Sequence, residues 1–153
     1  MLFTDSYFTI VNSSEGGLKE RGSKFLSYAI PVMSEQQIKE HLLRLKKSHP
    51  SASHHCYAWQ LGPAKQAYRA NDDGEPANSA GKPILSQIQA RDLTNIMVVV
   101  VRYFGGTLLG VGGLINAYKQ AAREALDNAV VVERFIFFQY SVAFNFNDTT
   151  LMI

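Results

Sequence analysis

The sequence predicts an α/β or α+β domain on three observations. Segments with strand period and helix period alternate along the chain, one helix signature carries its own cap and charge signals, and a run of six apolar residues, Ile96-Met97-Val98-Val99-Val100-Val101, has no alternation at all. A strand covered on both faces reads that way, so residues 96–101 are placed at the centre of the sheet. Upstream, residues 24–32 show period two in Leu26, Tyr28, Ile30 and Val32, with Pro31 marking a strand end or edge. Ser34 opens a helix: Gln37 is its capping-box partner, Ile38, Leu42 and Leu45 form the apolar stripe, Arg44, Lys46 and Lys47 suit the C-terminal dipole, and Pro50 stops it.

Residues 54–61 put His55, Tyr57, Trp59 and Leu61 on one face, and Gly62-Pro63 turns the chain into a short strand ending near Arg69. This is a hairpin. Residues 71–79, NDDGEPANS, are too rich in turn formers for regular structure, and a short helix with Pro83 in its first turn follows. After the central strand and a glycine passage, a helix is predicted over about 114–128. Its inner face is Leu114, Ile115, Tyr118, Ala121, Ala122, Ala125, Leu126 and Ala129, and its outer face Lys119, Arg123, Glu124 and Asp127. Residues 134–147 alternate as an amphipathic strand, with no later segment to pair with. Either that strand joins the main sheet or it begins a second domain that is cut short.

The length of 153 residues allows one compact domain and a fragment of another, which excludes a large multidomain enzyme. Fifteen Lys plus Arg against thirteen Asp plus Glu give a net charge of +2, too small to argue for nucleic-acid binding by itself. A single cysteine, the lack of a signal-peptide pattern and the lack of an apolar run approaching ~20 residues point to a reduced, cytoplasmic protein with no membrane role.

Four groups of residues are candidates for chemistry. In the passage from Arg102 to Lys119, Gly105, Gly106, Gly110, Gly112 and Gly113 permit close backbone approach and positive φ, and the helix N-terminus that follows attracts anions. The spacing is neither a phosphate loop with Gly-Lys-Ser/Thr nor a dinucleotide fingerprint, and a tight strand-to-helix turn reads equally well. Asp72, Asp73 and Glu75 offer three carboxylates for a hard cation or acid/base work, or else a solvated turn. His54, His55 and Cys56 suggest metal ligation or a thiol nucleophile. Neighbouring strand residues point to opposite faces and no second ligand pair exists, so packing is favoured and no metal or cofactor is assigned. Arg21, Ser23 and Lys24 can join Arg69, Lys82 and Arg102 in a basic face, or lie on ordinary surface.

Five motifs in order carry a family resemblance: Arg21-Gly22-Ser23-Lys24-Phe25; His54-His55-Cys56-Tyr57-Ala58; Asn71-Asp72-Asp73-Gly74-Glu75-Pro76; Ala80-Gly81-Lys82-Pro83-Ile84-Leu85; and Val101-Arg102-Tyr103-Phe104-Gly105-Gly106-Thr107-Leu108-Leu109-Gly110 with Gly112-Gly113-Leu114. Over residues 16–130 the chain resembles the IMPACT/YigZ family. The resemblance implies an α+β two-layer sandwich like domain IV of elongation factor G and the second domain of a small-subunit ribosomal protein. It implies a domain at residues 1–132, and at 133–153 the first strand of a ferredoxin-like second domain whose exposed face is able to drive a homodimer. Eukaryotic members regulate translation through protein partners.

The leading expectation is therefore a non-enzymatic translation-related regulator that binds RNA or the ribosome. Arg21, Lys24, Lys82, Arg102 and Lys119 would contact phosphate, and the glycine loop would present amides. The rivals are an enzyme acting on a phosphorylated or nucleotide substrate through Asp72, Asp73 and Glu75, and a protein-interaction module.

Overall fold

The structure, a computed structural model, describes residues 2–139. Strands β1 (Leu2–Ile10), β2 (Ser14–Glu20) and β3 (Ser23–Pro31) lead into helix α1 (Glu35–Ser48). The hairpin β4 (His54–Leu61) and β5 (Ala67–Asn71) leads into α2 (Gly81–Ala90), and β6 (Ile96–Tyr103) leads through α3 (Gly110–Asp127) to β7 (Val131–Gln139). Five strands form one antiparallel sheet in the order β2-β3-β6-β4-β5, and β1 pairs with β7 in a separate two-stranded sheet.

The six apolar residues of β6 are each 0% exposed, because both faces of the sheet are covered. Val98 and Val100 pack with Phe25, Cys56 and Ala58 against α2 and α3, whereas Met97, Val99 and Val101 pack with Tyr57 and Trp59 against Ile38, Leu42 and Leu45 of α1. The α+β class is as expected. Sheet, α2 and α3 make the helix-on-sheet sandwich, and α1 closes the opposite face. At the start of α1 the Ser34 hydroxyl accepts the Gln37 N–H at 3.2 Å, and the Gln37 side chain accepts the Met33 N–H at 2.7 Å.

Three features depart from the sequence expectation. Strands β1 and β2 were not foreseen, and β2 (SEGGLKE) lacks apolar alternation for a physical reason. Helix α3 lies so close that a Cβ on Gly16 would sit 2.6 Å from the Ala125 backbone nitrogen, so a bare backbone takes the place of an apolar side chain. Secondly, α3 begins at Gly110 rather than near Leu114, which moves Gly110, Gly112 and Gly113 into its first turn and turns Ile115, 38% exposed, away from the core. Thirdly, β7 starts at Val131 rather than near Arg134 and is paired along its length by β1, a strand the sequence reading did not supply. The remainder of the strand predicted to residue 147 lies outside the described residues. No helix among the described residues is long and apolar enough to cross a membrane.

Candidate functional site

Antiparallel pairing gathers the candidate residues at one end of the sheet. β3 and β4 start there and β5 and β6 finish there, since Lys24 pairs with Tyr103, His54 with Arg102 and Tyr57 with Asn71. Helices α2 and α3 also begin at this end. Here a cleft of about 320 Å³ is lined by His54, Glu75, Pro76 and Arg102 on one side and by Phe104, Leu108, Leu109, Gly110, Val111 and Leu114 on the other, while Gly105, Gly106, Gly112 and Gly113 do not line it. The acidic loop and the glycine loop thus form two walls of one cleft.

Its floor is a buried polar network. Arg102, 5% exposed, donates through Nη1 to both Glu75 oxygens at 3.1 and 2.8 Å and through Nη2 to the Ser23 hydroxyl at 3.2 Å. The Tyr118 hydroxyl also donates to Glu75, and the Cys56 thiol points at the Tyr118 oxygen at 3.4 Å and the Asp72 carbonyl at 3.1 Å. Burial pushes the Tyr118 hydroxyl and the Cys56 thiol up, so both keep their protons and Cys56 is no thiolate nucleophile. The guanidinium is sandwiched by two rings, with its carbon 5.5 Å from the centroids of Phe25 and Phe104.

His54 is the titratable side chain at the edge of this network. The Asp73 carbonyl, which can only accept, lies 2.8 Å from Nδ1, so the proton sits there and Nε2 faces the cleft 3.5 Å from Glu75 Oε1. The His55 ring points the other way, with its Nε2 3.0 Å from the His49 carbonyl, while its backbone N–H donates to the Asp73 carboxylate at 2.6 Å.

The remaining candidates divide between architecture and surface. Asp72 accepts the N–H groups of Asn78, Ala80 and Gly81 at 2.8, 3.1 and 2.8 Å, which supplies α2 with the cap its own Ala80 lacks. Gly105 packs on the β2–β3 turn so tightly that a Cβ would lie 2.0 Å from the Gly22 carbonyl carbon, while its N–H donates to Ser23 at 3.1 Å. Gly106 and Gly110 have φ of +86° and +73°. The helix they introduce has no side-chain cap. Arg21, Lys24, Lys82 and Lys119 are exposed. Lys24 alternates with the buried Phe25 and therefore faces the α1 side of the sheet, away from the cleft. Among the described residues no cluster of three His, Cys, Asp or Glu side chains is arranged to hold a metal ion.

Sequence reasoning missed Tyr118 and Ser23 as partners of Glu75 and Arg102. Tyr118 sits at an inner position of α3 and reads as core, and only its hydroxyl, a group that needs a partner when buried, hinted otherwise.

A family model described as the Impact N-terminal domain matches residues 21–126. The chain is 41% identical over 129 residues to the IMPACT family member YvyE of Bacillus subtilis, covering 84% of this chain and 59% of that protein. It is 34% identical over 130 residues to the IMPACT family member YigZ of Escherichia coli, covering 84% and 64%. A crystal structure described as that of a hypothetical protein superposes with a TM-score of 0.81 at 34% identity, over 84% of this chain and 64% of that one. The chain thus spans about three fifths of the length of these relatives.

Proposed function

The chain belongs to the IMPACT family, and from that premise we propose that it is a cytoplasmic, translation-related regulator that works by binding the ribosome through the cleft end of its sheet. One observation supports the reading: of the five segments that bear the family resemblance, three line a single cleft, a fourth is tied to its floor through Ser23, and the fifth is held at the same end of the sheet by Asp72. Exposed Arg21, Lys82 and Lys119 at or near this end, with Lys24 round on the α1 side, are the cations free to reach phosphate. Arg102 serves differently, because its charge is spent on Glu75 and it holds the two loops together.

Co-sedimentation of the purified chain with ribosomes across a salt series tests this. Binding should fall with salt and weaken several-fold in an Arg21→Ala, Lys119→Ala double variant. Absence of binding at low salt would overturn the reading. A second reading, an enzyme on a phosphorylated or nucleotide substrate, draws on the meeting of the acidic and glycine loops with His54 Nε2 between them. Turnover of a nucleotide by the wild type that vanishes in His54→Ala would favour it.

A further inference from the structure

The mouth of the cleft is apolar where an RNA-binding surface would be charged. Leu108 is 82% exposed, Val111 52% and Phe104 50%, and all three line the cleft; Ile115, 38% exposed, follows Val111 by one helical turn. Contiguous exposed side chains of this size mark interaction surfaces. Inside, the charges of Arg102 and Glu75 cancel, so the floor attracts neither ion.

Cations stand at the margin. Lys119 is one turn beyond Ile115 on the same exposed stripe of α3, and Arg21 lies in the turn on which Gly105 rests. Neither has a carboxylate within ion-pair distance among the described residues. An apolar centre with a charged rim is the anatomy of a protein-binding site, whereas a phosphate backbone laid in the cleft calls for free cations inside it, and the one Lys or Arg among the described residues that lines it, Arg102, is paired with Glu75. The wall is also held in place before any partner arrives. The Phe104 ring lies over Arg102, and the N–H groups of Phe104 and Gly105 are tied to Ser53 at 3.3 Å and Ser23 at 3.1 Å.

We propose that this cleft docks an acidic, apolar segment of a protein partner. One bulky aliphatic or aromatic side chain enters between Phe104, Leu108 and Val111, and flanking Asp or Glu residues meet Lys119 and Arg21. The inference rests on the reading that this end of the sheet is the contact surface, and it replaces "ribosome" by the chemistry of what is gripped.

The test selects random 12-residue peptides displayed on phage against the whole chain, then measures a synthetic peptide of the enriched sequence by fluorescence anisotropy. Leu108 and Val111 are exposed, so Leu108→Asp and Val111→Asp should keep the fold, which circular dichroism checks. The expected sequence carries a large apolar residue flanked by Asp or Glu. Its affinity should fall at least about tenfold in Leu108→Asp and Val111→Asp, about threefold in Lys119→Glu, and by less than about twofold in Met33→Asp, a control on exposed surface just before α1. No enrichment, an enriched sequence without acidic residues, unchanged affinity in the cleft variants, or displacement of the peptide by a short single-stranded RNA would each overturn the proposal. Ribosome binding that survives while no peptide is enriched would remove this inference alone. Peptide binding as expected without any ribosome binding would remove the ribosome reading alone.

Discussion

Arg102 and Tyr103 are neighbours on β6, and because strand side chains alternate they found two different polar clusters at the same end of the molecule. On the α3 face, Arg102 donates to Glu75 and Ser23, and the Tyr118 hydroxyl donates to the same Glu75. On the α1 face, the Tyr103 hydroxyl lies 2.6 Å from Nδ1 of His49, whose Nε2 lies 2.7 Å from the Tyr28 hydroxyl. The second cluster is satisfied by a neutral imidazole, which donates to one tyrosine and accepts from the other. It is packed ring against ring, with centroids 5.8 Å apart on each side of His49. The first holds opposite charges and opens on a cleft. Both plug the end of a hydrophobic layer; the charged one lies buried beneath the cleft, whereas Tyr28, His49 and Tyr103 are each half-buried at the surface, so polarity at a core's end is not by itself a sign of function.

The largest blow to this contrast is Glu75→Ala, which leaves the Arg102 guanidinium buried without its counter-charge. Stability in urea should fall by about 3–5 kcal/mol, and the Glu75→Leu, Arg102→Met double variant should recover most of it. A loss under about 1 kcal/mol would show that the pair is not sealed from water. Next, Gly105→Ala forces a methyl group onto the Gly22 backbone and should cost about 1–3 kcal/mol, also read by urea.

On the neutral side, His49→Phe removes the shared partner of two half-buried tyrosine hydroxyls and should cost about 0.5–1.5 kcal/mol at pH 8. Burial, then the neighbouring His55 and Lys24, pull the His49 pKa down. Its contribution is therefore complete above the unfolded value of about 6.5 and is lost as pH falls through the lower folded value. Urea curves at pH 8 and pH 5 should show the wild type's advantage over His49→Phe shrinking on acidification. His41, shifted the same way, is present in both proteins and cancels. The smallest effect is a gain: Gly112 has open space around its Cβ position, so Gly112→Ala should raise stability by up to about 1 kcal/mol and leave the cleft unchanged.

What could be read in the sequence follows the range of the forces involved. The cap of α1, the β4–β5 hairpin and the burial of β6 are written locally, in Ser34 with Gln37, in Gly62-Pro63 and in an uninterrupted apolar run. The site was legible as a set of residues and illegible as a set of roles. Asp72 looked like a ligand or a turn former and turns out to cap α2 from eight and nine residues away, beyond the reach of any local capping rule. Arg102 looked like a phosphate contact. Its neutralisation by Glu75, twenty-seven residues earlier, emerges only once β4 and β6 are paired. Strand β2 was hidden because its face packs against the backbone of α3, which selects glycine at Gly16 where a pattern search looks for valine.

The sheet order carries one further implication, for biosynthesis. The central strand β6 is the last of its five strands to be made, and it must slot between two hairpins, β2–β3 and β4–β5, that are already complete. Pairings such as Lys24 with Tyr103 cannot form until nearly the whole domain has left the ribosome, so each hairpin waits with an unpaired inner edge. A chain stalled before Ile96 would present two open strand edges at once, with nothing of its own to close them.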